Sequence, residues 1–131
     1  GTAFLSVREP DKAGIAAVAR SLINSGFNLV ATSGTAQVIE DAGLPVERVN
    51  KVKQGRPHIV DMIKNDQISL IVNTTEGRQA IADSSTIRSS AEQRGVYYTT
   101  TLAGGQAVCM ALEQSGEIKV RRLQELHERN Q

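Results

Sequence analysis

The sequence predicts an α/β domain: a single doubly wound, mostly parallel five-stranded sheet with helices on both faces. Three observations point there. Short apolar runs alternate with helically spaced apolar residues along the whole chain. The run Leu70-Ile71-Val72 is continuously apolar, as a strand covered on both faces requires. Gly26, Gly43 and Gly95 each follow a helical stretch and stop it. The 131 residues carry no linker, repeat or low-complexity tract, so residues 1–131 read as one domain.

Residues 3–7 form the first expected strand, and Asp11 is the expected N-cap of the helix that follows. Ile15, Val18, Ala19, Leu22 and Ile23 give that helix its apolar face. Residues 27–32 form a second strand, 35–42 a short helix and 46–49 a short third strand. Pro57 stands at an expected helix N1 position, with Ile59, Met62 and Ile63 behind it. Residues 68–73 form the clearest buried strand, followed by a helix over 85–94 and a fifth strand over 96–100. A helix over 105–113 is followed by Gly116, and residues 118–120 form a last edge strand before a polar tail.

Composition removes several function classes. Fifteen basic and 14 acidic residues give a net charge of +1, which argues against broad nucleic-acid binding. With no Trp, two Phe and two Tyr there is no row of aromatics for base stacking. The single cysteine, Cys109, cannot form an internal disulfide, so a reducing cytoplasm is the expected setting. No apolar run approaches the roughly 20 residues that span a bilayer. Gly1-Thr2-Ala3 leads straight into an apolar strand with no leader, which reads as a fragment of a larger chain whose Gly1 fits a cloning scar.

In sheets of this kind ligands bind at the carboxyl ends of the strands. The expected strand exits carry Lys12, Thr32-Ser33-Gly34-Thr35, Asn50-Lys51, Asn73-Thr74-Thr75 and Thr99-Thr100-Thr101. Hydroxyls, backbone N–H groups at helix starts and lysines together suit a phosphate. Each piece also has a plainer explanation: Thr32 to Thr35 as a turn with an N-cap, Lys12, Lys51 and Lys53 as solvated lysines, Asn73 to Thr75 as a strand end. The case for a site rests on their convergence at one sheet edge. Asp83 is either a helix cap or an acceptor for ribose or base. Catalytic candidates are poor, because His58 and His127 are isolated, Cys109 lies on an apolar helix face, and no catalytic triad or metal-ligand cluster can be read. No catalytic residue, metal or cofactor is therefore expected.

Residues 4–12 and Ala31-Thr32-Ser33-Gly34-Thr35-Ala36 resemble the methylglyoxal-synthase-like fold. More selective are Val49-Asn50-Lys51-Val52 with Gly55-Arg56-Pro57-His58-Ile59, residues 71–78, and Tyr98-Thr99-Thr100-Thr101-Leu102-Ala103-Gly104-Gly105. Together these closely resemble the C-terminal allosteric domain of the carbamoyl-phosphate synthetase large chain, from about residue 3 to 127. The resemblance implies a non-enzymatic regulatory domain of an ATP-dependent, glutamine-hydrolysing ligase that serves pyrimidine and arginine synthesis. Its implied partners are the rest of the large chain and a glutaminase small subunit. In bacterial members the domain binds UMP as inhibitor and IMP as activator. By match to the family motifs, Lys12, Thr32, Thr35 and Lys51 would hold the phosphate, and Asn73, Thr75 and Asp83 would meet ribose and base. Tyr98 and Thr100 would supply part of an ornithine site completed by a neighbouring domain. Three positions depart from the family pattern: Pro10 replaces a small residue, Ser33 a His or Gly, and Thr99 an acidic residue.

Methylglyoxal synthase itself is the enzymatic rival. Its phosphate elimination needs carboxylates as acid and base, yet Arg56 and Thr74 stand about where the family carries them. A second relative, the cyclohydrolase domain of purine synthesis, shares residues 6–15 but not residues 55–59 or 98–105.

Overall fold

Thr2–Ser6 forms β1, the central strand, and its residues from Ala3 onward are buried. The computed structural model describes residues 1–49, 59–74 and 78–115, without the side chains of 78–83 and 115. After β1 come a 3-10 turn at Glu9–Asp11, α1 (Lys12–Asn24), β2 (Asn28–Ala31), α2 (Ser33–Asp41) and β3 (Glu47–Arg48). Then follow α3 (Ile59–Lys64), β4 (Leu70–Asn73), α4 (Arg78–Arg94), β5 (Tyr97–Thr99) and α5 (Leu102–Ser115). The strand order is β3-β2-β1-β4-β5 and every pairing is parallel. The chain winds outward from β1 in one direction through β2 and β3, and in the other through β4 and β5. The switch between β1 and β4 is where such sheets leave a crevice.

The alternation of β1 sorts the two layers. Ala3, Leu5 and Val7 pack with Ile15, Val18 and Leu22 of α1, Ile39 of α2, and Val108 and Leu112 of α5. Phe4 faces the other way, onto Ile59, Val60 and Ile63 of α3 and Ile87 and Ala91 of α4. Each such fully buried Leu, Ile or Phe side chain contributes about 1.5–3 kcal/mol. The helices thus lie on both faces, as the sequence predicts.

Boundaries differ in informative ways. Asp11 does not cap α1 with its side chain. Its φ of −89° and ψ of −8° are already helical, so the carboxylate cannot fold back as an extended N-cap would, and Arg8 takes it instead. Helix α4 starts at Arg78, ahead of the expected 85, because Arg78, Gln79, Ala80 and Ala82 favour helix without marking an apolar face. That places Asp83 inside α4 and removes its capping role. Helix α5 starts at Leu102 because the Thr101 hydroxyl accepts the Gly104 N–H at 3.0 Å. Gly26 and Gly43 end their helices with φ of +95° and +80°, the left-handed turn anticipated there. Pro57 and the expected edge strand over 118–120 lie outside the described residues.

Candidate functional site

Along the α3/α4 side of the sheet, a step of two residues turns an apolar row into a polar one. Val30, Phe4, Ile71 and Tyr98 are register partners across four strands. Two residues further on stand Thr32, Ser6, Asn73 and Thr100, with Ser6 and Asn73 paired directly. Ser6, Thr32 and Asn73 are buried, and buried polar groups need partners. The Ser6 and Thr32 hydroxyls bond each other at 3.0 Å, and Asn73 Nδ2 donates to Tyr98 Oη at 2.9 Å. Asn73 Oδ1 has no partner among the described residues, although Asn73 is only 1% exposed.

Where this row meets α2, Ser6, Val7, Lys12, Thr32, Ser33, Gly34 and Thr35 line an open cleft of about 240 Å³. Thr32 sits at the N-cap position with extended geometry but spends its hydroxyl on Ser6, so the first N–H groups of α2 gain no side-chain cap. The Thr35 hydroxyl accepts the Val7 backbone N–H at 3.0 Å, which leaves its own proton to donate. Lys12 crosses above. A Cβ on Gly34 would lie 2.9 Å from Lys12 Nζ, so the ammonium rests over the first turn of α2. Its Nζ donates to Glu9 Oε2 at 2.7 Å. The cleft therefore offers backbone N–H groups, hydroxyl donors and a cation at the positive end of a helix dipole, which is the chemistry of phosphate binding.

The switch point is braced next to it. Arg8 N–H donates to Thr74 Oγ1 at 2.9 Å, linking the β1 exit to the β4 exit. Arg8 Nε donates to Asp11 Oδ2 at 2.9 Å. Desolvation pushes the Asp11 carboxyl up, but hydrogen bonds from Arg8 and Thr74 and the Arg8 charge outweigh it and hold it below its ordinary range. On β5, burial raises the Tyr98 phenol against the opposing Asn73 bond and Arg88 charge, and the Arg88 guanidinium lies 5.8 Å from the ring centroid.

Of the expected phosphate ligands, the structure brings Lys12, Thr32 and Thr35 into this one cleft, while Lys51 lies outside the described residues. Asn73 stands one strand away beside Ser6. Thr75 lies outside the described residues, and Asp83 lies in the second turn of α4 with its side chain outside the description. Tyr98 is half-buried against Asn73, and Thr100 is exposed just past β5. Cys109 is packed in the core as expected, with its Sγ 3.7 Å from Val18 O, and desolvation raises its thiol. His58 and His127 lie outside the described residues. Ser6 belongs to the site without standing in any of the candidate phosphate, ribose or base positions, and Thr74 serves as a brace on Arg8. The signal for Ser6 is a hydroxyl that follows the buried apolar run Ala3-Phe4-Leu5 at the carboxyl end of the strand. A larger cleft of about 520 Å³ opens near Thr2, Phe27, Asn28, Val46 and Met62, at the amino ends of the strands. No cation is among the described residues that line it, so the smaller cleft is the better anion site. Among the described residues no group of three or more His, Cys, Asp or Glu could hold a metal, and no helix is long and apolar enough to cross a membrane.

Comparison with known proteins agrees with this architecture. The carbamoyl phosphate synthase large chain of Pseudomonas syringae pv. tomato is 64% identical over 127 residues, which is 97% of this chain and 12% of that protein. The corresponding protein of Halomonas eurihalina is 65% identical over 125 residues, 95% of this chain and again 12% of the relative. The chain thus spans about an eighth of the length of the curated relatives it matches. Among solved structures, ForH superposes with a TM-score of 0.66 at 22% identity, covering 98% of this chain and 90% of that one. Methylglyoxal synthase from Elizabethkingia anophelis NUHP1 superposes with a TM-score of 0.65 at 21% identity, covering 82% and 76%. A family model described as the MGS-like domain matches residues 14–100, and the chain belongs to that family, homologous to the MGS-like domain of carbamoyl phosphate synthase large chains.

Proposed function

We propose that this chain is the regulatory domain of a carbamoyl-phosphate synthase large chain and binds a nucleoside monophosphate, UMP or IMP, at the strand ends. The observation that carries this is the convergence of Lys12, Thr32 and Thr35 on one cleft at the start of α2. A phosphate monoester carries close to two negative charges at neutral pH and needs such compensation on partial burial. Lys51 completes the phosphate ligands in this proposal, and Asn73, Thr75 and Asp83 meet ribose and base. The Oδ1 of Asn73, which has no partner among the described residues, supports that role, since a ribose hydroxyl or base N–H would satisfy it. Tyr98 and Thr100 form the domain's part of an ornithine site. The effectors tune carbamoyl phosphate synthesis in other domains of a cytoplasmic enzyme, with a glutaminase small subunit as further partner. The domain itself performs no chemistry and needs no cofactor.

A binding role is favoured over a methylglyoxal-synthase-type elimination because no carboxylate is among the described residues that line the cleft, the nearby Glu9 is 81% exposed and paired with Lys12, and Thr74 is engaged by Arg8. Calorimetric titration of the chain with UMP and IMP tests the proposal. Lys12→Ala should weaken binding by about 1.5–3 kcal/mol, the range of a hydrogen bond to a charged group. Lys51→Ala should weaken it by roughly 2–5 kcal/mol, the range for breaking a buried charge pair. Unchanged affinity in both variants would place the phosphate elsewhere, and phosphate release from dihydroxyacetone phosphate would restore the enzymatic alternative.

A further inference from the structure

The loop after β1 is neutralised within itself. Residues 8–12 hold two interleaved i,i+3 ion pairs, Arg8 with Asp11 at 2.9 Å and Lys12 with Glu9 at 2.7 Å. The two pairs are built differently. Asp11 is only 15% exposed at its side chain, and both Arg8 and Thr74 hydrogen-bond it, so it is fixed in the brace at the switch point. Glu9 is 81% exposed and its described partner is Lys12 alone, which is 25% exposed. A carboxylate that exposed recovers its hydration when it leaves, whereas the Lys12 stem is held over α2. A cation over the start of a helix opposes the dipole unless an anion accompanies it, and Glu9 is the anion that does so here.

We propose that Glu9 is a displaceable counter-ion of the cleft: its carboxylate holds the Lys12 ammonium until an incoming phosphate takes that ammonium over, and it thereby sets how tightly the site binds. The proposal rests on the phosphate cleft described above and adds a specificity-determining residue to it. Glu9 weakens binding in two ways, by competing for Lys12 and by repelling the ligand's charge. The first acts on any anion. The second grows with ligand charge, so Glu9 holds back a dianionic monoester more than a monoanion.

Calorimetry of the 131-residue chain with UMP, IMP and inorganic phosphate, beside Glu9→Gln and Glu92→Gln, tests this. Glu92 is an exposed carboxylate in the last turn of α4, away from the strand carboxyl ends, and its replacement changes net charge equally. Glu9→Gln should bind all three probes about two- to five-fold more tightly, the range of one exposed ion pair, and Glu92→Gln should match the parent. If the parent binds the probes and Glu9→Gln binds no more tightly, Glu9 is not a counter-ion gate. An equal gain in both variants also overturns it, because the effect is then the general field of the protein. If the parent binds none of the probes, the cleft is not a phosphate site and the proposal fails with it.

Discussion

The Thr35 hydroxyl accepts the backbone N–H of Val7 at 3.0 Å, joining the first turn of α2 to the exit of β1. Thr35 is only 2% exposed. As a phosphate ligand alone, it would be replaceable without loss of fold. The geometry gives it both tasks, since its lone pair serves the strand and its proton is left to donate into the cleft that it lines. Thr35→Val keeps the shape but leaves the Val7 N–H unpaired in the interior. It should destabilise the fold by about 1–3 kcal/mol as well as weaken UMP or IMP binding. Thr35→Ser should recover most of both. Thermal melts followed by circular dichroism decide: a Thr35→Val melt equal to the parent's would mean that the bond carries no net stability.

Tyr98→Phe probes the neighbouring strand. It removes the phenol oxygen that accepts Asn73 Nδ2, leaving a buried amide with no described partner at either end. The expected cost is about 1–3 kcal/mol in urea denaturation, out of proportion to the loss of one hydroxyl. A cost under about 0.3 kcal/mol would show that the amide finds another acceptor.

How much of this was legible in the sequence follows from what each signal measures. The strands were legible because Ala3, Leu5 and Leu70-Ile71-Val72 are apolar for a global reason, burial on both faces. The helix stops at Gly26 and Gly43 were legible because a left-handed turn favours one residue type. Convergence of Lys12, Thr32 and Thr35 followed from the rule that strand carboxyl ends meet at one edge. The side-chain pairings were not legible. Asp11 has the composition of an N-cap but helical dihedrals, so only three-dimensional placement shows it serving Arg8 and Thr74. The link from Arg8 to Thr74 spans 66 positions of sequence, and no local pattern encodes it.

Burial raises the Cys109 thiol and the Tyr97 and Tyr98 phenols. The sign is the same for all three. As pH passes the ordinary values of about 8.5 for cysteine and 10 for tyrosine, the unfolded chain releases protons that the folded chain retains. The unfolded state then binds fewer protons, so stability falls as pH rises. Unfolding free energy should be flat up to about pH 8 from these groups and decline above about pH 9. Urea denaturation at pH 7.5, 9 and 10.5 measures it. Tyr98→Phe should show a shallower decline between the last two points than the parent. Equal slopes would remove Tyr98 as a contributor.

Two glycine-to-alanine changes in helices should have opposite signs. In a helix interior the exchange alone favours alanine by about 0.5–1 kcal/mol, an upper bound for Gly14 and Gly104, each the third residue of its helix. At Gly14 in α1, a new Cβ meets the end of the Leu102 side chain at 2.7 Å, and a leucine methyl can swing aside. Gly14→Ala should therefore be neutral or stabilising by up to about 0.5 kcal/mol. At Gly104 in α5, the Cβ falls inside hard contact with Thr99 Oγ1 and stands 3.0 Å from Thr99 Cβ. Rotating the Thr99 hydroxyl relieves the first contact but not the second, because Cβ is fixed to the β5 backbone. Helix α5 must then lift from the sheet, against which it packs closely: a Cβ added at the neighbouring Gly105 would come within 3.3 Å of both Val72 methyls. Overpacking of this kind costs about 1–3 kcal/mol, more than the helix preference returns, so Gly104→Ala should be net destabilising by about 1–2 kcal/mol. Thr99→Ala removes the hydroxyl and keeps the Cβ, so in that background the penalty should shrink without vanishing. The resulting double-mutant cycle should show coupling of at least about 0.5 kcal/mol. A Gly104→Ala variant more stable than the parent, or a cycle with no coupling, would mean that α5 does not bear on β5 through this contact.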